Sequence, residues 1–162
     1  MPSETEIEAT LWKHLKSDRT VMLGLADAPD EAQPMTALIE DEEAGGPLWI
    51  FTAKDTGLAR SLEGPREAVA QFASKGHDLF ATLRGTLTTD MDRAAIDRLW
   101  SPFIAAWFEG GKDDPKLLLL RFDPAHAQIW LNENSVFSGL KLLLGRDPKA
   151  EYAGKTADVA ID

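Results

Sequence analysis

Residues 49–62 read WIFTAKDTGLARSL, and the character of the chain changes within them. Trp49, Ile50, Phe51 and Thr52 are strand-type residues, aromatic or β-branched. Lys54, Asp55, Thr56 and Gly57 then form a charged, hydroxyl-bearing turn, after which Leu58, Ala59 and Leu62 recur at helical spacing. A buried strand running directly into such a turn has two readings. One is an ordinary strand-to-helix connection with a capping residue. The other is a phosphate cradle, where hydroxyls, cationic side chains and the free N–H groups of a helix start surround an anion.

Upstream, Ser3 and Glu6 make a capping-box pattern ahead of Ile7, Leu11, Trp12 and Leu15, which predicts an N-terminal helix over 1–18. Strands follow at Thr20 to Ala26, Gln33 to Glu40 and Leu48 to Thr52, joined by short turns as a meander. Pro34 stands at a strand start, where a missing ladder donor is tolerated. Downstream, Glu67 to Ser74 and Leu79 to Leu87 read as two more strands. Asp90 is expected to cap an amphipathic helix on which Ile96, Leu99, Trp100 and Phe103 share a face, with Pro102 ending or kinking it. Lys116 to Asp123 and Ala127 to Asn132 suggest a hairpin across Pro124, and Gly139 to Leu144 a short helix before a polar ending.

Seven short strands with few helices point to a mainly β (α+β) chain, an antiparallel barrel closed or nearly closed, with helices over its open ends. The whole of 1–162 is expected to be one domain: a helix over 1–18, a barrel over 19–132 with an inserted helix over 90–108, and a C-terminal helix and tail over 133–162.

Composition excludes several classes. There is no cysteine, so disulfide and thiolate chemistry are absent. The net charge of −10 opposes binding to nucleic acid or an anionic membrane. No apolar run approaches the length needed to span a bilayer, the first residues lack the pattern of a signal peptide, and a cytoplasmic location is expected. His14, His77 and His126 show no paired metal-ligand spacing, and no Walker loop, nucleophile elbow or dinucleotide fingerprint occurs.

The segments QPMTALIE, LWIFTAKDT, FASKGHDLFATLRGTLTTD, IDRLWSPFIAAWFEGGKDDPKLLLLRFDPAHAQIWL and SGLKLLLG, in this order, resemble the general stress protein branch of the pyridoxamine 5'-phosphate oxidase-like family. The resemblance runs from about Ile7 to about Gly145. It implies an FMN-binding split β-barrel with flanking helices that pairs into a homodimer, FMN lying between the two subunits.

The resemblance also nominates site residues. It lays Phe51 and Thr52 along the flavin ring and the following turn against its phosphate, with hydroxyls from Thr52 and Thr56 and charge from Lys54 and Arg60. Lys75, in the turn SKGHD, is a further phosphate candidate. Gln33, Pro34, Met35 and Thr36 would run beside the ring, Trp107 and Phe108 would wall the cleft, and Trp130 would reach the flavin of the partner subunit. Each has a plainer reading as cap, edge-strand, core or solvated-turn residue. Relatives usually carry arginine at the position of Gln33 and lysine at that of Leu58.

The expected function is flavin binding, FMN with FAD as the alternative, in a stress-response oxidoreductase that takes electrons from a reduced nicotinamide, NAD(P)H, and passes them to a small molecule. The alternative is a dimeric module that binds flavin without turnover, or binds none. Haem held through His77 or His126 is a third option.

Overall fold

The computed structural model describes residues 2–41, 43, 45–132 and 156–161. The N-terminal helix, α1 (Glu4–Asp18), is capped as its sequence requires: the Ser3 hydroxyl accepts the Glu6 N–H at 3.2 Å. It ends at Arg19, whose left-handed backbone (φ 62°) turns its N–H back to the Leu15 carbonyl. Ile7, Leu11, Trp12 and Leu15 are buried along one face, so α1 closes one opening of the sheet structure that follows.

That sheet contains β1 (Thr20–Leu25), β2 (Gln33–Thr36), β3 (Leu48–Ala53), β4 (Arg66–Ala73), β5 (Leu79–Thr89), β6 (Leu117–Leu131) and β7 (Thr156–Ala160). Hydrogen-bonded neighbours run in the order β2-β1-β4-β5-β6-β3, all antiparallel. The two edges meet through one residue pair. Leu38, just beyond β2, exchanges both backbone hydrogen bonds with Trp49 of β3, at 2.8 and 2.9 Å. The result is a nearly closed barrel with a seam between β2 and β3, mainly β with a few flanking helices.

Alternation along β3 and β6 explains why the run Leu117 to Leu120 is continuously apolar. Leu48, Ile50, Leu118, Leu120 and Phe122 point into the barrel core, whereas Trp49, Leu117 and Leu119 point outward. The outward set is covered by α3 (Arg93–Leu99) and α4 (Pro102–Ala105), through Ala95, Ile96, Ile104 and Phe108. Both faces of these strands are thus buried, which a single polar/apolar alternation would not have announced.

Five sequence expectations change. The meander expected of the first three strands does not form: β1 pairs with β2 and β4, while β3 pairs with β6 and, among the described residues, meets the β2 side only at Leu38. The hairpin across Pro124 is instead one 15-residue strand, β6. A bulge absorbs the proline: the pairing jumps from Arg84↔His126 to Gly85↔Pro124, which leaves Ala125 unpaired with β5 while its carbonyl accepts the Ile161 N–H. Gly85 is required there, since a Cβ would stand 2.1 Å from the Asp123 carbonyl oxygen. The expected helix over 90–108 is two shorter ones. Asp92, not Asp90, caps α3, and Ser101, held extended before Pro102, breaks the helix and caps α4. Asp90 instead binds Arg121 at 2.5 Å.

The second strand stops at Thr36 rather than Glu40, because beyond it the chain crosses the seam to β3. The polar ending contains β7, which adds to the half of β6 that β3 leaves open. The helix expected over Gly139 to Leu144 lies outside the described residues. Among those described, no helix is long and apolar enough to cross a membrane.

Candidate functional site

The seam between β2 and β3 opens outward into a cavity of about 320 Å³. One wall is the backbone and side chains of Pro34, Met35 and Thr36 on β2, with Leu38 beyond it. The floor is Phe51, Thr52 and Ala53 at the end of β3, with Thr56 from the turn that follows. The remaining wall comes from α4 and its continuation: Phe103, Ile104, Trp107 and Phe108.

The turn of residues 53–57 is a short-helix cap. The Thr56 hydroxyl donates to the Ala53 carbonyl at 3.0 Å and accepts the Ala59 N–H at 3.2 Å, which opens α2 (Gly57–Ser61). Thr52 is buried with its hydroxyl 3.4 Å from that of Thr56. With the Thr56 hydrogen committed to Ala53, Thr52 is the donor in that contact and keeps its acceptor capacity, and the Thr36 hydroxyl lines the same cavity.

The aromatic wall is braced from behind. Phe51 meets Trp100 edge to face with ring centroids 6.0 Å apart, and Trp100 lies 6.3 Å from Phe108. Phe108 is buried, whereas Phe103 and Trp107 stand at the rim, Trp107 with 75% of its surface exposed.

The loop after Trp107 is tied down by carboxylates. Asp114 accepts the N–H groups of Gly110 and Lys116, both at 2.9 Å, and these backbone bonds hold its pKa below the usual carboxylate value. Asp97 on α3 binds Lys112 at 3.0 Å and Arg93 at 3.3 Å. The Lys112 bond, and then the neighbouring charges, lower its pKa. Arg93 reaches Asp113 at 2.6 Å, and that hydrogen bond is the main cause of its raised pKa.

The structure gathers Pro34, Met35, Thr36, Phe51, Thr52, Thr56, Trp107 and Phe108 of the nominated residues around one cavity. The others stand elsewhere. Gln33 faces a neighbouring hollow with Glu31, Leu58 and Ser61. The Lys54 side chain is exposed outside the lining, its N–H bonded to the Lys116 carbonyl. Lys75 lies by a third hollow, its N–H donated to Asp18 at 2.7 Å. Trp130 is on the outer sheet face beside Met22 and Phe80. His77 stacks on Phe80 and His126 pairs with Asp158, and no metal-binding cluster occurs among the described residues.

Sequence reasoning had not nominated Leu38, Ala53, Phe103 or Ile104. Phe103 was read as the last member of a helical core stripe. The break at Ser101 and Pro102 resets the helix phase and turns Phe103 toward the cavity.

Residues 6–153 match the family described as Pyridoxamine 5'-phosphate oxidase like. Comparison with curated proteins gives no significant match. Among solved structures, the chain is 57% identical to a protein of Xanthomonas campestris pv. campestris assigned to the general stress family, over 83% of this chain and 93% of that one, with a TM-score of 0.77. It is also 57% identical to the general stress FMN/FAD binding protein of the phytopathogen Xanthomonas citri, over 80% and 92% of the two chains, with a TM-score of 0.75. A Jannaschia sp. protein assigned as general stress protein 26 is 33% identical over 98% of this chain and 99% of its own, with a TM-score of 0.84. With this match across nearly its whole length and these relatives, the chain belongs to the general stress protein branch of the pyridoxamine 5'-phosphate oxidase-like family.

Proposed function

We propose that this protein binds a flavin, FMN with FAD as the alternative, as a cytoplasmic homodimer, and that it passes electrons from a reduced nicotinamide to a small molecule. The observation that carries flavin binding is the cavity at the seam: an aromatic and apolar enclosure whose polar side chains are the hydroxyls of Thr36, Thr52 and Thr56. A flat heteroaromatic ring with a polar edge fits that donor set. The Xanthomonas citri relative, 57% identical, is an FMN/FAD binding protein.

A bound flavin supplies hydride and electron transfer at its ring. The chain's own work is then binding and orientation. Phe51, braced by Trp100, and Phe108 fix the cavity's width, Thr52 would accept a hydrogen bond from the ring edge, and Trp107 at the rim would limit the access of water. Exposed Met22 and Phe80 beside Trp130, together with the uncovered rim at Phe103 and Trp107, support a second copy of the chain as the cover of these surfaces.

The test is the visible spectrum of the purified protein, titration with FMN, and NADH or NADPH consumption by the loaded protein. Flavin bound with steady turnover supports the oxidoreductase; no flavin affinity refutes the proposal. A second reading, a flavin-binding module without turnover, is favoured by one observation: among the described residues, none that lines the cavity is acidic, basic or histidine. Flavin bound without nicotinamide consumption would establish it.

A further inference from the structure

We propose that Met91 is a site of reversible sulfoxidation by peroxide, and that the sulfoxide loosens the joint between the barrel and the helices that wall the cavity. The inference stands apart from the flavin reading. The last paired residue of β5, Thr89, lies opposite Leu120 of β6. In the next antiparallel pair, Asp90 with Leu119, the two residues would ordinarily exchange both backbone hydrogen bonds. Here the Asp90 N–H donates to the Leu119 carbonyl at 2.9 Å, but the Leu119 N–H donates to the Met91 Sδ at 3.3 Å. A thioether sulfur, a weak acceptor, thus holds the backbone donor of a residue that is 0% exposed.

Met91 itself is 47% exposed, so a small oxidant reaches it. It also stands directly before Asp92, the cap of α3. Both α3 and α4 pack, through Ala95, Ile96, Ile104 and Phe108, against Leu117 and Leu119 of β6. Phe103 on α4 and Trp107 just beyond it line the cavity. The joint at residues 90–91 therefore connects the barrel to the cavity wall. Its other tie is the Asp90 carboxylate on Arg121, at 2.5 Å.

The sulfur gives an electron pair to one oxygen of hydrogen peroxide: an S–O bond forms, the O–O bond breaks, and the second oxygen leaves as water. Sulfur is oxidised by two electrons and the peroxide is reduced by the same two. Either epimer of the sulfoxide breaks the contact with Leu119. Oxygen added at the lone pair that faces the N–H does not fit, because an S–O bond and a hydrogen bond of about 2.9 Å cannot stand in series within the 3.3 Å between sulfur and nitrogen. Oxygen added at the other lone pair leaves a positively polarised sulfur against the N–H, and the donor loses its acceptor. Methionine sulfoxide reductases, one for each epimer, restore the thioether.

The test is hydrogen peroxide treatment of the full-length native protein, with peptide mass spectrometry to locate the added oxygen, amide hydrogen exchange at Leu119 by NMR, and thermal unfolding. Met91 is expected to be oxidised about as fast as Met22, which is 42% exposed, and ahead of Met35, which is partly buried against the barrel core. Exchange at Leu119 should then speed up by about five- to a hundredfold, the effect of one orphaned buried donor. Tm should fall by about 3–8 °C, and the two reductases should reverse both changes. Met22→Leu is expected to keep this response. Met91→Leu, which has no sulfur, should exchange fast at Leu119 before treatment and show no further change with peroxide. Oxidation of Met22 with Met91 spared would overturn the assignment of the site. A Met91 sulfoxide that leaves exchange at Leu119 and Tm unchanged would overturn the loosening, as would a Met91→Leu protein whose Tm falls with peroxide as far as that of the native protein.

Discussion

Replacing Trp107 by alanine separates what the cavity rim does for folding from what it does for binding. Trp107 is 75% exposed, so it buries about a quarter of its side chain. A covered aromatic side chain buries roughly 200 Å². A quarter is about 50 Å², which at about 25 cal/mol per Å² gives an upper bound near 1.2 kcal/mol for its contribution to stability. Phe108, one residue on and 7% exposed, should cost about 3–5 kcal/mol when cut to alanine. If Trp107 covers a flavin ring, its loss removes a stacking contact of about 1–3 kcal/mol, a rise in dissociation constant of about 5- to 150-fold. Urea unfolding of the flavin-free variants gives the first quantity and flavin titration the second. A Trp107→Ala protein that binds flavin within twofold of the native protein would refute the assignment of this residue to the site. A stability loss as large as that of Phe108→Ala would refute it differently, by showing that Trp107 is a buried structural residue in solution.

Gly85→Ala is expected to destabilise by about 3 kcal/mol or more and lower Tm by about 6–12 °C, because the new Cβ would stand 2.1 Å from the Asp123 carbonyl oxygen; calorimetry reads this directly. Gly57→Ala, with no atom closer than 3.8 Å, should stay within about 0.5 kcal/mol. Thr56→Ala removes the cap of α2 and should cost about 1 kcal/mol in urea unfolding, with Thr56→Ser restoring most of it. Asp114 has a pKa lowered in the folded state, so its contribution to stability is present above its ordinary value of 3.8 and lost as the pH falls through the folded value. The Tm gap between the native protein and Asp114→Ala should therefore be open at neutral pH and narrow in acid. A gap that is constant with pH would show that the loop does not depend on this carboxylate's charge.

Much of the fold was legible because its signals are local. The Ser3 cap and the apolar stripe of α1 lie within single turns of helix, and the strands from Thr20 to Leu87 announce themselves by residue type and by the turns between them. Pro124 misled because a proline usually interrupts a ladder. What accommodates it is Gly85 on another strand, 39 positions earlier in the chain. β7 went unnoticed because five residues, Thr156 to Ala160, become a strand only beside the open half of β6. The cavity was legible through Thr52, Thr56 and the β2 residues, which line it by their place on strand ends. Phe103 was not, since its direction depends on a helix break that only the packing of α4 makes visible.

By itself the sequence determined most of the elements, the antiparallel barrel class, the family resemblance, and the residues at the ends of β2 and β3 that line the cavity. These follow from periodicity, capping and turn chemistry, which act over a few residues. Tertiary structure decided which charges stand near the cavity and which do not. Lys54 and Lys75 have suitable chemistry, but a charge acts through space with a strength set by distance and exposure. Those quantities depend on how the barrel closes at Leu38 and Trp49, a contact between segments that no local pattern encodes.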